Sequence, residues 1–237
     1  MSRARGGWGE VTAVARAVCE ALDPRAIGEV YCDHGGERFW RERRDDVVSL
    51  GRDLGKALLQ RVPRGGASLW VGAGIAELPV LLGEVLLHDR RVTATNLRVR
   101  ECELLDAALR RAAPDVPLRF EPGDAREAAP GVVFDHVGCV SVFTDPETWP
   151  QLSDVAYGRM APVQLDVERF AAEREQARAL AAALFARLSR PAMVTTTAEE
   201  VAWFLEQAAK AGRHAEAAEE LFASAVVGDP IGFLTVR

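Results

Sequence analysis

The run Ser68-Leu69-Trp70-Val71-Gly72-Ala73-Gly74-Ile75-Ala76-Glu77-Leu78-Pro79-Val80-Leu81-Leu82 constrains this chain more than any other stretch. Arg64-Gly65-Gly66 leads into a short apolar run, which reads as a loop followed by a buried strand. Gly72 and Gly74 predict a tight turn. Beyond it Leu78, Leu81, Leu82, Val85 and Leu86 recur at helical spacing. A strand, a glycine turn and a helix together set backbone N–H groups and a helix N-terminus against a ligand. Glycines also occur at such turns for packing alone, so the rest of the chain must decide between the two.

With 237 residues, of which 49% are hydrophobic, the chain can bury a large core. That length suits one α/β domain with an appendage. A net charge of −6 and a pI near 5.4 argue against a nucleic-acid partner, whose phosphates reward a basic surface. Lys56 and Lys210 are the only lysines. With the Ala- and Gly-rich usage, this fits a GC-rich bacterial genome. Cys19, Cys32, Cys102 and Cys139 form no C-x-x-C pair and read as free thiols in a reducing compartment, with no metal site expected. No apolar core follows the early arginines and no run reaches the length of a membrane span, so a soluble cytoplasmic protein without a membrane partner is expected.

Val11, Val14, Val18 and Leu22 predict a helix that Asp23-Pro24 stops. Glu29 to Trp40 is polar, aromatic and broken by Gly35-Gly36, so it does not read as one regular element. Asp45 to Val62 predicts a second amphipathic helix. Residues 1–63 are therefore expected to form an N-terminal helical cap on a main domain at 64–237. From Ala67 strands and helices alternate: strands at Arg91–Thr95, Leu118–Glu121, within Val132–Phe143 and at Ala192–Thr197. Helices are expected at Glu101–Ala113, Val167–Leu188 and Ala198–Ala211, with a further helical piece at His214–Leu221. Thr144–Pro162 reads as an irregular connection. Ala223–Val227 and Ile231–Arg237 form two strands about Gly228-Asp229-Pro230. Such alternation predicts a parallel sheet covered on both faces, with ligands at the carboxyl ends of its strands.

The glycine run, the strand end at Asn96, the turn Gly123-Asp124-Ala125, the strand from Phe134-Asp135 and the closing hairpin at Ile231–Val236 together resemble the class I S-adenosylmethionine-dependent methyltransferases. The resemblance covers residues 67–237. It implies an α/β, Rossmann-like doubly wound fold: a mostly parallel seven-stranded sheet with an antiparallel last strand. It implies S-adenosylmethionine as cofactor, with Gly72, Ala73 and Gly74 at the methionine end. Asn96 and Leu97 would lie at the ribose, Asp124 and Ala125 at the adenine, and Cys139 with its neighbours beside the methyl group. The sequence departs from the family in three places. Trp70 stands where an acid usually precedes the first glycine, Ala76 stands at the third glycine position, and Asn96 replaces the ribose acid. Glu77 either offsets part of that loss or is a solvated residue of a first helical turn.

Methyl transfer from a sulfonium needs alignment, and a base only when the acceptor must lose a proton. The Asp/Asn-Pro-Pro-aromatic signature of amino-group methylation is absent after the fourth strand, where Val140-Ser141-Val142-Phe143-Thr144-Asp145 stands instead. A small-molecule acceptor is therefore expected. Base candidates are Tyr31, Asp33 and His34 beside Gly35-Gly36, which form either a lid or an ordinary polar loop. Asp135 and His136 read as structural, and His88 and His214 as solvated. Asp145, Glu147 and Trp149 lie in a connection expected to face substrate. Arg38, Arg41, Arg43 and Arg44 alternate with acids, which reads as a solvated helix face. Two rivals remain at this level: a non-catalytic member with an eroded site, marked by Trp70 pointing into a filled pocket, and a nicotinamide-dependent oxidoreductase. The latter lacks the third glycine of its fingerprint. The sequence carries no sign of the oligomeric state.

Overall fold

A computed structural model describes residues 6–32, 34–159, 165–226 and 228–237. The base candidate Asp33, the end of the connection at Pro162 and the hairpin residue Val227 lie outside the described residues. Three helices come first: α1 (Trp8–Ala21), α2 (Pro24–Tyr31) and α3 (Gly36–Leu59). Strands β1 (Ala67–Val71), β2 (Arg91–Asn96), β3 (Phe120–Pro122) and β4 (Phe134–Cys139) follow, with α4 (Leu78–His88) and α5 (Val99–Ala112) between the first three. After β4 come α6 (Pro150–Ala156), α7 (Val167–Ala186), β5 (Leu188–Thr197), α8 (Val201–Lys210), β6 (Ala215–Ala217), β7 (Phe222–Ala223) and β8 (Pro230–Val236).

The eight strands form one sheet in the order β3-β2-β1-β4-β5-β8-β6, with β7 also on β8. Strands β1 to β5 run parallel, and β8 is antiparallel to β5, β6 and β7. The order reverses between β1 and β4. The loops leaving those two strands turn to opposite sides and open a crevice between them.

Strand β1 is buried along its whole length because alternate side chains feed two cores. Trp70 joins Val11, Val47, Leu58 and Leu81 beneath α1, α3, α4 and α5. Leu69 and Val71 join Phe134, Leu184 and Phe204 on the other face. The Trp70 ring lies over the neighbouring strand at Gly138, where a Cβ would come within 2.1 Å of it.

Among the described residues the sheet has eight strands where seven are expected, and α2 is a helix that the sequence reading did not place; three further elements also differ from expectation. Helix α3 begins at Gly36, well before Asp45, because its mixed charges pair along the exposed face (Arg38 with Glu42 at 2.7 Å) while Trp40 and Val47 turn inward. Pro150 opens a short helix inside the connection read as irregular. Residues 215–217 form β6 rather than helix, since Ala215 and Ala217 pair with Val236 and Leu234 on the open edge of β8. Ala-Glu propensity favours a helix only weakly, and the sheet edge overrides it.

At the amino end of the strands lies a buried polar cluster. The Glu84 carboxylate accepts from Trp70 Nε1 at 2.6 Å, from Arg90 Nε at 2.9 Å and from Ser68 Oγ. Arg90 also pairs with Asp135, whose carboxylate accepts the Ala67 N–H at 3.1 Å. His136 is fully buried between Ser68 Oγ (3.2 Å) and Thr195 Oγ1 (2.9 Å), and burial with nearby Arg90 holds its pKa well below the ordinary imidazole value. The structural reading of Asp135 and His136 therefore stands. His88 differs from expectation: it is half-buried at the end of α4, and its Nδ1 has no partner among the described residues. No described helix is long and apolar enough to cross a membrane.

Candidate functional site

A cavity of about 720 Å³ opens at the carboxyl ends of the strands. The loops after β1, β2, β3 and β4 line it, and α2 and α3 contribute Tyr31 and Phe39. Six of the residues singled out from the sequence meet there: Gly72 and Gly74, Asn96 and Leu97, Asp124 and Ala125. Two others do not. Ala73 is buried with its N–H on the Thr95 carbonyl at 2.9 Å. Cys139 is the last residue of β4 and faces the core, where burial and nearby Glu200 push its thiol well above the ordinary value. Its neighbours Val140, Ser141 and Val142 line the cavity instead.

Gly72 has a φ of +66°, which a side chain would strain. Gly74 is required for another reason. A Cβ there would sit 2.3 Å from Glu101 Oε1 and 3.0 Å from the Tyr31 hydroxyl. The glycine makes room for a carboxylate that the sequence reading missed. Glu101 lies on the first turn of α5, one residue before the inward-facing Cys102. Its Oε1 accepts the Ile75 N–H at 3.0 Å and the Tyr31 hydroxyl, and its Oε2 accepts Asn96 Nδ2 at 3.1 Å. Glu77 immediately precedes α4 without a side-chain bond to the helix, and its Oε2 accepts the Gly74 N–H at 2.8 Å. Two consecutive N–H groups of the glycine loop are thus held by two carboxylates. Burial raises both acids, Glu77 to about 7, and nearby Glu101 adds to the rise at Glu77.

Asn96 has its carboxamide committed to the protein. Its Nδ2 also donates to the Ala73 carbonyl at 3.0 Å, and its Oδ1 accepts the Arg98 N–H at 2.9 Å. Asp124 accepts the Arg126 N–H at 2.8 Å and the Arg126 side chain at 2.9 Å, which holds its carboxyl below the ordinary range. Arg98, just past β2, reaches Asp145 and Glu147 after β4 at 3.0 Å each and ties the two walls together.

Of the base candidates, Tyr31 lines the cavity, but burial and the adjacent Glu101 hold its pKa well above the ordinary phenol value. It is a hydrogen-bond donor, not a base near neutral pH. His34 lies exposed in the turn before α3, outside the cavity lining. Trp70 does not enter the cavity; its ring packs against His136 at a centroid distance of 5.2 Å. Trp149 does line the cavity, at the start of α6. Among the described residues no group of three or more His, Cys, Asp or Glu is placed to hold a metal ion.

The wall after β4 is fixed from behind by Glu200. This fully buried acid accepts the N–H groups of Phe143 (2.6 Å) and Thr144 (3.2 Å), and burial raises its pKa to about 8. The folded state therefore binds a proton that the unfolded chain releases above its ordinary value of 4.5. The stability this proton provides is complete below that value and is lost as pH rises through about 8. Glu200→Gln should flatten the fall in stability between pH 5 and 8, read by urea unfolding across that range. An unchanged slope would show that another group governs it.

No family model and no curated protein matches the sequence. Solved structures do. A methyltransferase from Pyrococcus furiosus superposes with a TM-score of 0.51 at 16% identity, over 80% of this chain and 83% of that one. Precorrin-6y C5,15-methyltransferase from Geobacter metallireducens GS-15 gives 0.49 at 13% identity, over 78% and 87% of the two chains. DesVI from Streptomyces venezuelae gives 0.48 at 14%, over 84% and 95%. The chain has the methyltransferase Rossmann-like fold.

Proposed function

We propose that this chain is an S-adenosylmethionine-dependent methyltransferase acting on a small-molecule acceptor. One observation carries the reading: Glu77 and Glu101 occupy the glycine-loop N–H groups and present two carboxylates to the cavity. A dinucleotide cofactor would need those N–H groups for its pyrophosphate, and the protein's own carboxyl groups already hold them. A ligand with an ammonium and a sulfonium complements them. The nicotinamide alternative is therefore disfavoured. The eroded-site alternative loses its marker, because Trp70 turns away and the cavity lies within the roughly 300–1,000 Å³ range of small-ligand sites.

In this reading the two relocated carboxylates stand in for the acids missing at positions 70 and 96. Gly72, Gly74, Glu77 and Glu101 hold the methionine end. Leu97 edges the ribose, with Asn96 bracing the loop rather than binding. Asp124 and Ala125 face the adenine, and α2 and α3 close over the site through Tyr31 and Phe39. When bound, the cofactor supplies an electrophilic methyl group; the protein aligns the acceptor and excludes water. The net charge of −6 favours a small molecule over a phosphate-bearing polymer.

Calorimetric titration with S-adenosylhomocysteine tests the proposal, and binding is expected. Asp124→Ala should weaken it by about 1.5–3 kcal/mol through loss of a charge-assisted hydrogen bond. Quenching by NADH without any heat from S-adenosylhomocysteine would overturn it.

A further inference from the structure

We infer that Ser141 and Tyr157, backed by Asp229, form the acceptor subsite, where a hydroxyl or amino group of a neutral or cationic small molecule docks and gives up its proton. The inference rests on the methyl-transfer reading and names the acceptor class for it.

Three separate segments converge there. Ser141 follows β4 by two residues and has a φ of +54°, a conformation that costs a non-glycine residue energy and recurs where side chains are aimed for function. Its Oγ donates to Asp229 Oδ2 at 2.8 Å. Tyr157, at the end of α6, donates its hydroxyl to the same oxygen at 2.6 Å. Asp229 precedes β8 and is only 7% exposed. Both hydroxyls line the cavity while the carboxylate lies behind them. The Arg159 guanidinium sits over the Tyr157 ring, 4.5 Å from its centroid. Burial and the hydrogen bond to Asp229 push the Tyr157 hydroxyl up to about 12. Tyr157 thus stays a donor at neutral pH.

The surrounding wall sets the class of acceptor. Val142, Trp149, Leu180 and Val226 give it an apolar body. Asp145 and Glu147 pair with Arg98 of the same lining and Asp124 with Arg126, so it is the Asp229 carboxylate behind the two hydroxyls that disfavours a second carboxylate or a phosphate beside it. The step balances as follows: the acceptor heteroatom's lone pair forms the bond to the methyl carbon while the carbon–sulfur bond breaks and its electron pair remains on sulfur. The heteroatom's proton passes to Ser141 Oγ as the Ser141 proton passes to Asp229 Oδ2. Ser141 and Tyr157 touch the acceptor; Asp229 positions them and holds the proton.

The chain has two tyrosines, and both line the cavity, Tyr31 at the glycine loop and Tyr157 at the proposed subsite. Protein carrying ¹³C at tyrosine Cζ gives two resonances, assigned with Tyr31→Phe and Tyr157→Phe. S-adenosylhomocysteine is added first and should move the Tyr31 signal. 4-Ethylphenol, benzylamine and benzoate are then titrated separately. The phenol or the amine should move the Tyr157 signal, and benzoate should not. Asp229→Asn should weaken the phenol or amine roughly tenfold, about 1.4 kcal/mol, with S-adenosylhomocysteine affinity unchanged. Ser141→Ala provides the same test if the asparagine variant unfolds. A Tyr157 signal that ignores phenol and amine, or follows benzoate equally, overturns the subsite, as does wild-type probe affinity in both variants. A silent Tyr31 signal with no heat from S-adenosylhomocysteine would instead sink the cofactor reading, leaving the Tyr157 response to judge the subsite by itself.

Discussion

Glu84→Ala lowers the free energy of unfolding by about 3–5 kcal/mol, the cost of leaving one partner of a buried ion pair behind. Glu84 and the Arg90 side chain are both fully buried, and the carboxylate also receives Trp70 Nε1 and Ser68 Oγ. Truncation leaves the Trp70 indole N–H without an acceptor in the core beneath β1 and takes one partner each from Arg90 and Ser68. Arg90 keeps Asp135 as a partner, which places the expected loss within that range rather than beyond it. The measurement is urea unfolding, read as a shift in midpoint at constant slope. A change under about 1 kcal/mol would mean that water replaces the carboxylate, and that the cluster does not hold Trp70 out of the cavity. Glu84→Gln should cost less, because its carbonyl oxygen still accepts from the indole.

Glu101→Ala weakens S-adenosylhomocysteine roughly a hundredfold or more, about 2.7 kcal/mol. It removes a carboxyl group from the cavity wall and frees Ile75 N–H, Asn96 Nδ2 and the Tyr31 hydroxyl at once. Glu101→Gln keeps an oxygen for Ile75 and should fall between the alanine variant and wild type. The same site makes wild-type affinity depend on pH. Glu77 is raised to about 7 and is neutral below it, so a ligand that sets its ammonium group beside Glu77 binds more tightly as pH rises through that value and levels off above it. Glu101, the Tyr31 phenol and the Arg98 guanidinium are the other polar groups about that loop, and of these Glu101 is raised in the same direction. Calorimetry at pH 5.5, 7 and 8.5 reads both effects. Alanine at 101 with wild-type affinity, or affinity flat across that range, would remove the electrostatic basis for choosing a cationic cofactor.

The parts of the site legible beforehand were those whose chemistry lies within a few consecutive residues. Gly72, Asn96 and Asp124 each end or follow a strand whose apolar run marks it, and all three reach the cavity. Glu101 was not legible. Nothing near it in sequence signals a ligand; its role comes from a Gly74 that leaves space for it and a Tyr31 that closes over it, 70 residues away. Asn96 was located but not understood, because its three hydrogen bonds all run to protein groups that only packing brings near. Cys139 was misplaced because it is still the last residue of β4 and faces the core, and only the residues past the strand end, Val140 to Val142, turn to the cavity.

That the strands run parallel could be anticipated because parallel neighbours require helical crossovers, and the alternation of apolar periods records them. Segment 215–217 escaped that logic. A short Ala-Glu stretch has no strong preference of its own, and the unpaired edge of β8 decided its conformation. The sequence by itself determined the layered α/β architecture and the glycine turn at its centre, since both follow from periodicity and backbone sterics. Only the tertiary structure decided the charge of the cavity, the retreat of Trp70 from it, and the meeting of Ser141, Tyr157 and Asp229. Those depend on which distant side chains share a buried volume, and no local pattern encodes that.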